Sequence, residues 1–129
     1  MKRILIAVAL AAISAGAANA QDAEAGAKKF KQQCFTCHSV GPGAKNKVGP
    51  ELNGIDGRHS GTVAGYSYTD ANKNSGITWN EATFLEYIKD PKAKIPGTKM
   101  TFVGFKDETD AKNVWAYIKQ FDAEGNTKK

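Results

Sequence analysis

The 129-residue sequence has little of what stabilises many small proteins. Two cysteines are too few for a framework of several disulfides, and two histidines and two methionines leave few side chains for metal binding. The charged fraction of 24% beside an aromatic fraction of 9% excludes a fully disordered chain. The length fits one small domain, and such a domain needs a further source of stability.

The apolar run near the N-terminus, Ile4–Ile13, is about half of the roughly 20 residues that span a bilayer. The basic pair Lys2-Arg3 precedes it, and small residues ending in Ala18-Asn19-Ala20 follow it. This order is typical of a bacterial secretory signal rather than a membrane anchor, and it predicts cleavage after the last alanine. We therefore predict a signal peptide over residues 1–20 and a single exported domain over 21–129.

Removal of the predicted signal peptide changes the net charge and the number of side chains that could bind a metal. Of 129 residues 109 remain, and the net charge falls from +5 to +3 because Lys2 and Arg3 leave and no acid does. Met100 becomes the sole methionine beside the histidines His38 and His59. Export also permits a disulfide. A charge of +3 without a basic cluster does not favour nucleic-acid binding.

Apolar residues at helical spacing predict three main helices. The first spans residues 22 to about 33. The second spans about 80 to 90, where Thr78 and Glu81 form a capping box and Pro91 ends the helix. The third follows acidic residues near the C-terminus that suit the positive end of a helix. Its apolar residues are Ala111, Val114, Trp115, Ile118 and Phe121.

Residues 41–65 contain seven glycines and two prolines and show no strand alternation. Such a composition normally indicates a linker, but a chain of this length does not make two domains. A long loop inside a compact domain is expected to be shaped around something. A short helical turn is predicted after it, near 70–75.

The segment Cys34-Phe35-Thr36-Cys37-His38 has the haem-attachment pattern C-x-x-C-H. Two thiols three residues apart on one turn can each add to a porphyrin vinyl group, and the adjoining imidazole reaches the iron from the same side.

Two other interpretations remain open. A redox-active dithiol has the same spacing but lies at a helix N-terminus, which lowers the thiol pKa, whereas this pair follows a helix. A zinc site would use Cys34, Cys37, His38 and His59, but adjacent cysteine and histidine ligands are awkward and a second C-x-x-C is missing.

If haem is bound, the ligand opposite His38 determines whether the protein is a carrier or an enzyme. An open position binds peroxide or a gas, whereas a filled one leaves only electron gain and loss. Met100 follows a Pro96-Gly97 loop outside any helical apolar stripe, so it is the predicted ligand even though a lone methionine usually fills a core gap. His59 lies in a polar turn and is expected to be exposed. A thioether ligand raises the reduction potential.

The sequence resembles a class I cytochrome c, of the small bacterial c2-like kind closest to the mitochondrial protein. The resemblance covers nearly all of residues 22–122. It is carried by Cys34-Phe35-Thr36-Cys37-His38, Val48-Gly49-Pro50-Glu51-Leu52, Tyr68-Thr69-Asp70-Ala71-Asn72-Lys73-Asn74, Gly76-Ile77-Thr78-Trp79 and Ile95-Pro96-Gly97-Thr98-Lys99-Met100.

This resemblance implies an all-α cytochrome c fold, in which three main helices, short helical turns and loops wrap around one covalently attached haem c. The first and last helices would cross tightly, with Gly26 and Phe30 meeting Val114 and Tyr117. Cys34 and Cys37 would carry the thioethers, and His38 and Met100 would be the axial iron ligands.

The resemblance also implies a set of pocket residues. Pro50 would offer its carbonyl to His38 and thereby fix the ring. The residues expected at the haem propionates are Arg58, Tyr68 and Trp79, and those expected beside the iron on the methionine side are Asn72, Tyr87 and Thr98.

In function, the resemblance implies a monomeric, soluble, periplasmic electron carrier and not an enzyme. The donor would be a quinol–cytochrome c oxidoreductase, and the acceptor a terminal oxidase, a photosynthetic reaction centre or a periplasmic reductase. Acidic docking surfaces would meet lysines around the haem edge. Five lysines stand at positions where the family has lysines around the haem edge, namely Lys28, Lys47, Lys92, Lys99 and Lys106. Gln33 and Asp107 stand where relatives often have lysine. A haem peroxidase or gas-binding protein is the alternative.

Overall fold

The computed structural model describes residues 21–128, so the predicted signal peptide lies outside the described residues and stays a prediction. The described chain is helical, as predicted. Its helices are α1 Ala23–Gln33, α2 Asp70–Lys73, α3 Glu81–Lys89, α4 Pro91–Lys94 and α5 Glu108–Ile118. Between residues 21 and 128, extended pairing is limited to isolated bridges. No helix in this part of the chain is long and apolar enough to cross a membrane.

Helices α1 and α5 cross at a glycine. A Cβ atom added to Gly26 would lie 1.8 Å from the carbonyl oxygen of Asn113, so only glycine allows the two backbones to approach this closely. One turn further on, the rings of Phe30 and Tyr117 pack with centroids 5.6 Å apart. Lys29 and Asp110 form an ion pair at 3.2 Å across the same crossing. The predicted contact between the terminal helices is therefore present.

The start of α3 differs from the prediction. The capping box is formed by Asn80 and Thr83, whose side chains each accept the other's backbone N–H at 2.9 Å. Thr78 and Glu81 do not form it. The Thr78 hydroxyl is hydrogen-bonded to Nδ1 of His59, and the Glu81 carboxylate accepts a hydrogen bond from the side chain of Gln21.

Two helix ends also differ in detail. Helix α3 ends at Lys89, and Pro91 then occupies the first turn of the unpredicted helix α4, where its missing N–H costs nothing. Helix α5 ends at Ile118, so the buried Phe121 belongs to the turn that follows rather than to the helix.

The glycine-rich stretch is tied to the rest of the domain rather than acting as a linker. The buried Asn53 side chain accepts from the N–H of Gly41 at 2.8 Å and donates to its carbonyl oxygen at 2.9 Å. The N–H of Gly54 donates to the carbonyl of Phe121, and that of Trp79 to the carbonyl of Arg58. These bonds hold the loop as one wall of an internal cavity.

Candidate functional site

A cavity of about 540 Å³ lies between α1, the glycine-rich loop, α3 and the segment before α5. Its size is ordinary for a cofactor site. Cys34, Cys37, His38 and Met100 all line it, although they come from opposite ends of the sequence. Every residue expected in the pocket lines it as well, namely Pro50, Arg58, Tyr68, Asn72, Trp79, Tyr87 and Thr98.

The two thiols are presented by the turn that ends α1. The N–H groups of Cys37 and His38 both donate to the carbonyl of Cys34, at 3.0 and 2.9 Å, and this fold of the backbone brings all three side chains to the cavity. Both cysteines are free thiols. Burial, with Cys37 adding to it, raises the pKa of Cys34 to about 12.

These observations weigh against the two other interpretations of the motif. A redox-active dithiol needs a lowered thiol pKa, whereas that of Cys34 is raised. Among residues 21–128 there is no group of three or more histidine, cysteine or acidic side chains arranged to hold a metal ion. The thiols therefore fit thioether formation best.

The imidazole of His38 is fixed by two neighbours. Its Nδ1–H donates to the carbonyl oxygen of Pro50 at 2.7 Å, and because a carbonyl can only accept, the ring's Nε2 carries the free lone pair. A Cβ atom on Gly49 would lie 2.4 Å from Cε1 of the ring, so this glycine forms a cradle that a side chain would fill. Burial lowers the pKa of His38, against the opposing effect of the Pro50 carbonyl. A neutral, oriented imidazole is the form that binds a metal.

Met100 lies in a polar network. The hydroxyl of Tyr87 donates to the Met100 sulfur at 3.2 Å and is also hydrogen-bonded to Thr98 Oγ1 at 3.2 Å. The backbone N–H of Met100 donates to the same threonine oxygen at 3.3 Å. Burial raises the pKa of Tyr87, so the phenol stays protonated and keeps its donor. The sulfur is thus hydrogen-bonded at the cavity, while the partly buried Met100 side chain also packs against the apolar core.

The cavity has a polar end built around Arg58. Its guanidinium donates to the backbone carbonyls of Asn53 and Glu51, at 3.0 and 3.2 Å. Burial lowers the pKa of Arg58, while Tyr68 and Glu51 oppose that shift. Two of the five guanidinium N–H groups are used by these carbonyls, which leaves donors for an acidic ligand group.

The cavity is also lined by Tyr68, Trp79 and Asn72, each of which has a contact of its own. The Tyr68 hydroxyl accepts from the N–H of Val63 at 3.1 Å, and Trp79 packs edge-on to Tyr87 with centroids 5.1 Å apart. The side chain of Asn72 is hydrogen-bonded to the Thr69 hydroxyl at 3.3 Å.

Other predicted residues lie outside the cavity or at its rim. His59 is exposed, as predicted, and does not line the cavity. The five lysines named above are all exposed, and Lys99 also lines the cavity. Gln33 lies at the cavity, whereas Asp107 caps α5.

Two residues with roles at the site were missed. Tyr66 lines the cavity, donates to the carbonyl of Val48 at 2.7 Å and lies under the ammonium group of Lys99, which is 4.4 Å from the ring centroid. The Tyr66-Ser67-Tyr68 alternation could have signalled it, since both rings lie on one side of the segment and pack 4.7 Å apart. Glu51 pairs with Arg58, and nothing in the sequence pattern signals that contact.

The sequence is similar to those of known cytochromes c. The family model described as Cytochrome c matches residues 23–122. The cytochrome c2 of Blastochloris viridis is 60% identical over 128 residues, which is 99% of this chain and 100% of the relative. A cytochrome c-550 of Bradyrhizobium diazoefficiens is 65% identical over 82% of this chain and 77% of its own. A plant cytochrome c, from Stellaria longipes, is 50% identical over 75% of this chain and 90% of its own.

Proposed function

This chain belongs to the cytochrome c family, and from that premise we propose that it is an exported, periplasmic one-electron carrier of the c2 kind. Members of this family carry a covalently attached haem c, which supplies an iron that alternates between the ferric and ferrous states. The observation that carries the proposal is the convergence of both thiols, an oriented imidazole and a hydrogen-bonded thioether on one cavity.

The geometry of the cavity supports the haem-binding residues that we propose. Cys34 and Cys37 would form the thioethers, and His38 would bind the iron through Nε2 because its other nitrogen is committed to Pro50. Met100 would be the ligand on the opposite side. We assign the propionates to Arg58, Tyr68 and Trp79. The support for this is that all three line the cavity and that Arg58 keeps free N–H donors there.

The carrier role rests on the chain keeping both axial ligands in place while the iron changes charge. His38 is held by a hydrogen bond and by the Gly49 cradle. Met100 is held by Tyr87 and by its own backbone bond to Thr98. Buried apolar side chains around them, including Ile55, Phe84 and Ile88, exclude water. A site held this rigidly reorganises little on electron transfer, and a filled sixth position disfavours peroxidase or gas-binding chemistry.

The rim of the cavity supports a role in brief docking. Val48 is 73% exposed and lines the cavity, so apolar surface lies at its mouth. Beside it, the ammonium group of Lys47 lies 3.9 Å from the ring centroid of the exposed Phe35. Lys99 also lines the cavity, over the ring of Tyr66. Exposed lysines around an apolar mouth suit an acidic partner surface that must bind and leave quickly.

The partners we propose are redox complexes. A quinol–cytochrome c oxidoreductase would donate the electron, and a terminal oxidase, reaction centre or periplasmic reductase would accept it. The full docking patch would comprise Lys28, Lys47, Lys92, Lys99 and Lys106, acting as a monomer's single interaction face.

Carbon monoxide tests the carrier assignment directly. The reduced protein should not bind carbon monoxide at neutral pH, because Met100 fills the sixth position, and the ferric protein should show a weak band at the red end of the spectrum. Rapid carbon monoxide binding would contradict the carrier assignment and support an open haem site.

A further inference from the structure

The carboxylate of Glu51 lies against Arg58, the partly buried cation of the cavity. Its Oε1 is 3.8 Å from Nη1 of Arg58, with 22% and 16% of the two side chains exposed. Such a pair is screened less by solvent than a surface ion pair, and so its charges act over a longer range.

The Glu51 carboxylate is also fixed in place. Its Oε2 accepts the N–H of Asn53 at 2.7 Å, and the N–H of Glu51 itself donates to Asn46 Oδ1 at 2.9 Å. The backbone carbonyl of Glu51 accepts a hydrogen bond from Arg58. A carboxylate held by its own loop keeps a constant position whether or not a ligand engages the guanidinium.

We propose that Glu51 sets the reduction potential of the haem, holding it lower than Arg58 alone would. The inference rests on the proposed function. The ferric iron carries one more positive charge than the ferrous iron, so a nearby cation favours the ferrous state and a nearby anion favours the ferric state. Arg58 favours the ferrous state, and the carboxylate of Glu51 offsets part of that effect. Glu51 is thus a positioning and charge-balancing residue that acts through Arg58, without touching the iron.

The same loop also fixes the orientation of the Arg58 guanidinium. An acidic group of the haem would share the Arg58 guanidinium with a carboxylate that the chain already supplies. Because Asn53 and Glu51 carbonyls take two of its donors, the guanidinium orientation is set by the loop before any ligand is bound. Arg58 therefore presents its remaining donors to the cavity in a fixed direction.

The test compares the midpoint potentials of haem-loaded variants at low ionic strength. Glu51→Gln removes the charge while its amide oxygen can still accept the Asn53 N–H, and Glu51→Asp keeps the charge on a shorter side chain. Glu124→Gln, at an exposed position in the C-terminal turn, is the matched control for loss of one negative charge. At a fixed applied potential, Glu51→Gln should raise the ratio of reduced to oxidised protein about threefold. This corresponds to about 28 mV at about 59 mV per tenfold change for one electron.

The proposal is supported if Glu51→Gln raises the potential while Glu51→Asp and Glu124→Gln stay close to the wild type. It is overturned if Glu51→Gln shifts the potential no more than Glu124→Gln, or if Glu51→Asp shifts it as much as Glu51→Gln. Should the glutamine variant fail to take up haem, Glu51→Asp and Glu51→Asn form a second pair differing only in charge, and equal potentials in that pair overturn the proposal.

Failure of this inference is distinguishable from failure of the proposed function. If the wild-type protein titrates reversibly as a one-electron couple and the Glu51 variants keep its potential, only the role of Glu51 is overturned. A wild-type protein that does not titrate at all removes the proposed function, and the role of Glu51 with it.

Discussion

The hydroxyl of Tyr87 donates a hydrogen bond to the sulfur of Met100 at a distance of 3.2 Å. This bond joins helix α3 to the loop that carries Met100. A thioether that accepts a hydrogen bond gives less electron density to a bound iron, which stabilises the ferrous state. If Met100 binds the iron as proposed, the strength of that bond depends on a phenol thirteen residues away.

Tyr87→Phe should lower the reduction potential. The substitution removes the donor to sulfur and leaves the ring that packs on Trp79, so the expected loss is about 0.5–1 kcal/mol of preference for the ferrous state. Redox titration of the haem-loaded variant measures this. Tyr117→Phe, whose ring packs on Phe30 in the helix crossing, is the control and should leave the potential unchanged. An unshifted Tyr87→Phe would show that the hydrogen bond does not tune the site.

Met100→Ala should lower the potential further and open the sixth position. The reduced variant should bind carbon monoxide and lose the weak band at the red end of the ferric spectrum, because the thioether that raises the potential is gone. His59→Ala is the control, since this exposed histidine does not line the cavity. If Met100→Ala kept the wild-type spectrum, the ligand opposite His38 would have to be another residue.

Gly26→Ala should destabilise the domain. Its Cβ would overlap the Asn113 carbonyl, so the crossing of α1 and α5 must open. Overpacking of this kind costs about 1–3 kcal/mol or more, against a gain in helix propensity of about 1 kcal/mol. Thermal unfolding of the haem-loaded protein measures the difference. Gln32→Ala, exposed on the same helix, should change the free energy of unfolding by less than about 0.5 kcal/mol. Equal stabilities in the two variants would contradict the close crossing.

Electron transfer with an acidic redox partner should slow steeply as ionic strength rises from about 10 to 200 mM, because salt screens the attraction between the lysines and the partner. Stopped-flow kinetics measure the rate constant. Lys99→Gln should weaken this dependence, whereas Lys128→Gln, on the C-terminal segment, should leave it nearly unchanged. A flat profile for the wild type would show that electrostatic steering does not speed the association.

Some features of the fold and of the site could be predicted from the sequence, and others could not. The apolar spacing predicts the two terminal helices, and the C-x-x-C-H motif predicts the roles of the two thiols and of His38. Met100 is predicted as the second ligand because very few other side chains could bind the iron. Helix α4 could not be predicted, because four residues carry no periodicity and its start depends on Asp90, whose side chain accepts the N–H of Ala93. The choice of cap for α3 depends on a tertiary contact that occupies Thr78.

The missed residues at the site share a physical cause. Glu51 and Arg58 are seven residues apart in a loop without regular structure, so their pairing depends on how Asn53 and Gly41 close that loop. Tyr66 reaches Val48 across 18 residues of the same loop. Spacing rules describe helices and strands, and they do not describe a loop whose shape comes from glycines and from hydrogen bonds between distant residues.

We propose above all that this chain carries a His38- and Met100-ligated haem as a one-electron couple. A redox titration of the purified protein, followed through its visible spectrum, tests attachment, ligation and function together. We expect haem that stays bound after denaturation, a single reversible one-electron transition at high potential, and a ferric band at the red end of the spectrum. Haem that is released on denaturation, or a low-potential couple without that band, would contradict it.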